Sequence, residues 1–216
     1  MLNECTTYAV YSIQDYEPLI RQRWYEITFH YNNAVEKNKK SFYWYCLMGW
    51  LFVSLVGSLF HFMYHWMGCN ILTGLLVAVN ESVFEHLKLL GLPIILFWTG
   101  DYLCFGEGRK HLIAVTAALY SGILFLLLFN IIVSQIGGFE ALWFDILLFI
   151  MSAFVAQFTG WKCILHDGEL SYCTILLVDI LLFVTICCHL IFTDSPPHWS
   201  WLFEDHRGFY GRPHEC

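Results

Sequence analysis

The chain has 216 residues and a formal net charge of −7; 58% of it is apolar and only 13% charged, where soluble domains run at roughly 45–50% and about 25%. Such apolarity excludes a disordered chain, the missing basic run excludes a nucleic-acid module, and the polar surface is too small to cover a soluble globule. The length fits one domain, and the class that remains is an all-α polytopic membrane protein whose first partner is the lipid bilayer.

Residues 1–41 form an arm ahead of the first apolar stretch. It holds five acidic residues (Glu4, Asp15, Glu17, Glu26, Glu36) and five basic ones (Arg21, Arg23, Lys37, Lys39, Lys40) among several aromatics. Two readings stand side by side: an amphipathic helix near 20–33 lying on the membrane surface, or a weakly ordered cytoplasmic arm. No signal-peptide core occurs there, so the expectation is no cleavable leader and a first span that acts as signal anchor.

A helix needs about 20 mostly apolar residues to cross the hydrocarbon. Five stretches reach that length: 42–66, 81–103, 111–133, 141–161 and 172–192. Segment 71–79 is apolar too, but at about 1.5 Å per residue it covers less than half the bilayer. It reads as a re-entrant or interfacial piece, which protein or water must cover. Eight of the eleven Lys and Arg fall on one side of this topology: the five in the arm, Arg109, Lys110 and Lys162. The positive-inside rule then puts the N-terminus in the cytoplasm and the C-terminus outside. The expected organisation is a cytoplasmic arm over 1–41, a five-span domain over 42–193 and an extracytoplasmic aromatic tail over 194–216. No internal repeat shows, so the inverted-repeat sign of many transporters is missing.

Nine cysteines occur without a C-x-x-C pair. Cys46, Cys104, Cys163, Cys173, Cys187 and Cys188 fall in spans or at their cytoplasmic ends and read as small apolar filler, with Cys104 and Cys163 open to palmitoylation. Cys69 and Cys216 share the outer side, where they can pair.

Ionisable residues inside a membrane are functional hypotheses by default. The second span opens with Asn80-Glu81-Ser82-Val83-Phe84-Glu85-His86-Leu87-Lys88. At about 100° per residue, Glu81, Ser82, Glu85, His86 and Lys88 share one arc of about 160°, opposite Val83, Phe84, Leu87 and Leu90. Asn80 suits the N-cap, and Gly91-Leu92-Pro93 allows a kink below. The Asn80-Glu81-Ser82 sequon sits too close to the membrane helix to be a useful glycosylation site. On the first span, Ser54, Gly57, Ser58, His61 and His65 form a matching stripe at the same depth. Two histidines four apart, facing a Glu-Glu-His arc, can hold a divalent metal such as zinc. The competing readings are a Glu85–Lys88 ion pair, a simple helix start and an interfacial His65.

Further along, Asp145 on the fourth span and His189 on the fifth share the outer depth, while Asp101 ends the second span in solvent at the inner face. Hydroxyl and small residues on these faces read as packing glue. The tail, from Ser195-Pro196-Pro197-His198 to Asp205-His206-Arg207-Gly208-Phe209-Tyr210-Gly211, is stiff and aromatic. It reads either as a lid over the polar site, with His198, Asp205 or His206 reaching in, or as an interfacial anchor.

Three segments carry a likeness: Ser58-Leu59-Phe60-His61-Phe62-Met63-Tyr64, Val79-Asn80-Glu81-Ser82-Val83-Phe84-Glu85-His86-Leu87-Lys88-Leu89-Leu90, and Pro196-Pro197-His198 with Leu202-Phe203-Glu204-Asp205 and Gly208-Phe209-Tyr210-Gly211. They resemble a family of small polytopic membrane proteins, common in bacteria and known only as a domain of unknown function. The likeness covers residues 47–211 and leaves the first forty outside. It implies a signature at His61, Asn80, Glu81, Ser82, Glu85, His86, His198 and Asp205. It also implies an acidic residue where this chain has His65, and a tryptophan where it has Phe84. A metal site survives that histidine-for-carboxylate exchange; a plain ion pair does not. The resemblance implies no activity.

Three functions compete. The first is a metal-dependent hydrolase of a lipid or amphiphile, with His61, His65, Glu85 and His86 as ligands and Glu81 or Glu85 in catalysis. Asn80, Ser82, Lys88, Asp145, His189, His198 and Asp205 are further candidates. The second is a proton or metal-ion transporter using the same groups. The third is a non-catalytic structural membrane protein. The oligomeric state is not legible.

Overall fold

The computed structural model describes residues 42–105, 108–139, 141–166 and 171–212. The chain forms two compact units, Met1–Trp44 and Tyr45–Cys216. The expected arm over 1–41 lies outside the described residues; everything below concerns the second unit, apart from the first residues of α1.

The described residues are all-α. The elements are α1 (Phe42–Trp66), α2 (Ile71–Leu76), α3 (Val83–Phe105), α4 (Gly108–Asn130), α5 (Leu142–Ile164), α6 (Tyr172–Asp194) and α7 (Ser200–Phe203). A wider-wound π turn, Ile131–Ile136, extends α4. Helices α1, α3, α4 with its extension, α5 and α6 are each long and apolar enough to cross a membrane. They match the five expected spans, and the architecture is consistent with an integral membrane protein. Helix α3 runs uninterrupted through Pro93.

Small residues let the central helices close up. A Cβ on Gly160 of α5 would strike the Trp98 ring and Ala118, and one on Gly122 of α4 would meet Ala156 and the Ser152 carbonyl. With no hydrophobic drive between helices in lipid, such close approach is what holds them. Trp98, Leu90, Ile94, Leu119 and Val53 are wholly buried there. Helix α6 is peripheral; the Tyr120 hydroxyl ties it on by donating to the Leu181 carbonyl, 3.1 Å, with Thr185 Oγ1 2.6 Å away.

At the end where α1 stops and α3 begins, the chain turns twice. Gly68 and Cys69 are left-handed, at φ 70° and 53°, and the Cys69 N–H closes onto the Tyr64 carbonyl at 3.0 Å. Asn70 caps α2, accepting from the Thr73 N–H at 2.9 Å. The short segment expected at 71–79 is thus α2 plus a buried irregular stretch, Val77 to Val79, packed on Tyr64. It does not cross. Cys69 is disulfide-bonded, and Cys216 lies outside the described residues.

Helix α6 ends at the same end, and the tail folds back across it. Phe203 packs on Phe84 and Phe192, with ring centroids 4.8 and 5.5 Å away. Gly211, at φ 68°, adopts a left-handed backbone that disfavours a side chain, and a Cβ there would press on Pro196 and the Thr193 carbonyl at 3.0 Å. At the opposite end Asp101 is not in solvent: its carboxylate, 8% exposed, meets His111 Nε2 at 2.8 Å. The turn into α4 brings that histidine back over it.

Candidate metal centre

The start of α3 is built by its own side chains. Ser82, not Asn80, is the N-cap: its Oγ accepts from the Glu85 N–H at 3.4 Å. Asn80 sits two residues earlier, where its Oδ1 takes the Ser82 N–H at 2.9 Å. Its Nδ2 donates to the Gly211 carbonyl at 2.8 Å, tying the tail to the helix start. The asparagine of the sequon is thus buried and occupied. Ser82 and Glu85 have capping-box spacing, but Glu85 does not reach back to the cap.

Glu85 instead turns inward. Its Oε2 accepts the Val79 N–H at 3.0 Å and meets Lys88 Nζ at 2.6 Å; both side chains are 2% exposed. Lys88 also donates to the Gly74 carbonyl at 3.1 Å and to Thr193 Oγ1 at 2.8 Å. Thr193 in turn donates to the His189 carbonyl at 2.6 Å. The three ammonium protons all have acceptors, so this is a satisfied buried network. It fastens α2, the 77–79 stretch, α3 and α6 together. Glu85 was expected among the metal ligands or as a catalytic carboxylate; the geometry turns it away from the histidines.

Glu81, just ahead of the helix, faces the other way. Its Oε1 lies 3.5 Å from His61 Nε2 and its Oε2 lies 3.6 Å from His86 Nε2. The two imidazoles are 5.7 Å apart by centroid. One ligand atom from each residue lies within 4.8 Å of the others. His86 Nδ1 donates to the Ser82 carbonyl at 2.8 Å, since a carbonyl only accepts, which leaves Nε2 as the ring nitrogen that faces Glu81. The 3.5 and 3.6 Å separations exceed good N–H···O hydrogen bonds. They run to the two different Glu81 oxygens; with one ligand atom from each residue the three lie within 4.8 Å, so a bound ion would draw the side chains in toward the ~3.3 Å edge of a tetrahedron of ~2.0–2.1 Å metal bonds.

A polar cavity of about 30 Å³ opens beside the trio, bordered by His61, His65, Asn80, Glu81 and Arg207. A larger cavity of about 100 Å³ lies among α2, α3, α4 and α6 and is apolar apart from Lys88, Thr185 and His189. The His/Glu trio borders the smaller one through His61 and Glu81. His65 stands on its wall rather than in the trio, with Nδ1 3.7 Å from Cys69 Sγ.

The other candidates fall elsewhere. Asp145 is exposed in the first turn of α5. His189 donates from Nδ1 to the Thr185 carbonyl at 2.8 Å and stacks near Phe84. His198 is exposed beside the Tyr210 ring, and His206 is exposed on a turn. Asp205 is buried but spends its oxygens on its own turn. Its Oδ1 accepts the Arg207 and Phe209 N–H groups at 2.8 and 2.9 Å, and its Oδ2 faces Arg207 Nε at 3.4 Å. Burial pushes the carboxyl up, but these N–H donors and the guanidinium outweigh it and hold Asp205 below the usual carboxylate range. The tail does lie over the site, and the side chain it brings there is Arg207. The sequence offered only a weak signal for that arginine, the Asp-x-Arg-Gly turn.

A family model described as Family of unknown function (DUF6512) matches residues 31–212, so the family's span begins earlier than the expected 47 and takes in the last ten of the first forty residues. The comparisons with curated proteins and with solved structures found no match.

Proposed function

The chain belongs to the DUF6512 family, and we propose that His61, Glu81 and His86 hold one divalent metal ion, zinc by ligand type, with which the protein hydrolyses a lipid or other amphiphile. The observation that carries this reading is the trio itself: three ligand atoms within 4.8 Å, with His86 oriented by the Ser82 carbonyl. Metal-binding histidines are commonly oriented that way.

Two histidines and a carboxylate with an open side toward a cavity match catalytic zinc sites better than closed structural ones. A bound ion supplies Lewis acidity and an activated water. The chain's own residues do the rest. His65, on the cavity wall, is placed to take a proton from a reacting group. Asn80 and the tail restrict the opening. Glu85 contributes no proton transfer, because Lys88 and Val79 occupy it; it keeps α3 in register so that Glu81 and His86 face α1. The charge asymmetry of the sequence supports an extracytoplasmic side for this end and the tail, with residues 1–41 cytoplasmic.

Elemental analysis of protein purified in detergent after zinc loading tests the reading. About one zinc per wild-type chain, and almost none in His61→Ala/His86→Ala, is the expected result. A metal-free wild type overturns it. With zinc bound, metal-dependent cleavage in a lipid mixture supports hydrolysis. Zinc uptake into proteoliposomes without cleavage overturns hydrolysis in favour of transport.

A further inference from the structure

The tail brings an arginine to a cavity whose other walls include His61 and Glu81 of the trio. Arg207 Nε faces Asp205 Oδ2 at 3.4 Å. Its backbone N–H is held by the same carboxylate at 2.8 Å, and its guanidinium carbon stands 5.9 Å over the Phe209 ring. The backbone bond fixes where the side chain starts, while the Nε and ring contacts only bias the direction of a guanidinium that is 58% exposed. The two Nη groups have no partner among the described residues. Gly208, at φ 83°, gives the turn its shape. An arginine with one edge turned to a carboxylate and the other open is suited to donate to two oxygens of a phosphate or carboxylate at once.

We propose that Arg207 binds the phosphate group of this site's substrate at the cavity beside His61, Glu81 and His86; the proposal rests on the metal reading above and names its substrate class as a phosphate ester. The cavity, about 30 Å³, has room for about two water-sized atoms at roughly 10–15 Å³ each, which suits two phosphate oxygens with the rest of the ester left outside. Charge decides when it fills. Without a metal, the Glu81 carboxylate opposes an anion and roughly cancels Arg207. With a divalent ion the wall becomes net positive. Phosphate and zinc therefore strengthen each other's binding by the same factor.

The test uses full-length protein in nanodiscs of neutral lipid, with radiolabelled inorganic phosphate as the probe, with and without zinc. The expected result is zinc-dependent phosphate binding that Arg207→Gln weakens about tenfold or more, Arg207→Lys partly restores and His206→Ala leaves unchanged. Zinc stoichiometry and the melting temperature of Arg207→Gln stay at wild-type values. If zinc binds and phosphate affinity is the same in wild type and Arg207→Gln, this proposal is overturned and the metal reading stands. If zinc does not bind but phosphate binding still depends on Arg207, the metal reading falls and the phosphate site stands. Binding of neither ends both. Displacement of the probe by phosphatidic acid placed in the nanodisc identifies a lipid headgroup. Displacement by soluble glycerol phosphate alone identifies a water-soluble ester. Either supports the proposal, and displacement by neither overturns it.

Discussion

Two carboxylates four residues apart at one helix start have opposite fates. Glu81 is 43% exposed and stands between two histidines at 3.5 and 3.6 Å. Glu85, one turn deeper, is 2% exposed and closed onto Lys88 at 2.6 Å. The chemistry of the group is the same; the surroundings differ. Glu85 meets an ammonium and a backbone N–H, so its oxygens are committed. Among the described residues Glu81 meets imidazole nitrogens alone, at distances too long for good hydrogen bonds, so its oxygens stay open to something between them. Depth at the membrane end separates a fastening from a candidate site.

The largest effect belongs to the buried pair. Lys88→Met leaves a carboxylate buried without its cation, and the expected loss is about 3–5 kcal/mol. Glu85→Gln strands the ammonium in the same way. The double change, Glu85→Gln/Lys88→Met, recovers most of the loss, because neither charge is then left alone. Thermal melts in detergent read all three. A Lys88→Met variant that melts with wild type breaks the comparison, since Glu85 would then be no more committed than Glu81.

The trio behaves in the opposite sense. In metal-free protein, His61→Ala/His86→Ala costs about 1 kcal/mol, because both side chains are half-buried and His86 gives up its hydrogen bond to the Ser82 carbonyl. Wild type then gains about 2.7 kcal/mol at free zinc one hundred times its dissociation constant, and the variant gains nothing. Equal zinc protection of both proteins removes the distinction between the two carboxylates.

Between these sits Asn80, which touches neither pair but links the helix start to the tail. Asn80→Ala forfeits the bonds to the Gly211 carbonyl and the Ser82 N–H, at about 1–2 kcal/mol. Hydrogen exchange sharpens where that loss falls. Amides over 205–211 should exchange faster while those in mid-α3 keep their protection; uniform loss of protection would make Asn80 a part of the global fastening instead.

The spans were legible because hydropathy over twenty residues is a strong signal, and the facing of α1 and α3 followed from depth and adjacency. The choice between Glu81 and Glu85 was not legible. Four residues on a helix differ by only about 40° in direction, so both fell in one arc. What separates them is Lys88 reaching Gly74 and Thr193, contacts that no helical wheel contains. The N-cap was misplaced for a related reason: Asn80 and Ser82 are both good caps, and the pull of Gly211 on Asn80 comes from 131 residues away. Arg207 was hidden in the same way, since its turn reads locally as a turn.

The smallest effect comes from the tail turn, and its sign follows from Asp205. Hydrogen bonds and the Arg207 guanidinium hold its carboxyl below the usual carboxylate range in the folded chain, whereas the unfolded chain has the ordinary value of about 3.9. The folded state therefore binds fewer protons in this window, and the stabilisation rises with pH. It is fully present above the unfolded value and is lost as the pH falls through the lowered folded value. The expected outcome is a tail whose amides at Arg207 and Phe209 stay protected from pH 7 down to about 4 and open below it, while protection in mid-α3 changes less. Asp205→Asn removes that pH step. It also leaves Arg207 without its brace, so phosphate affinity should drop in this variant even at neutral pH, where zinc binding is unchanged. An Asp205→Asn protein with the same acid profile as wild type would mean that the carboxylate does not set the turn, and that Arg207 reaches the cavity by some other support.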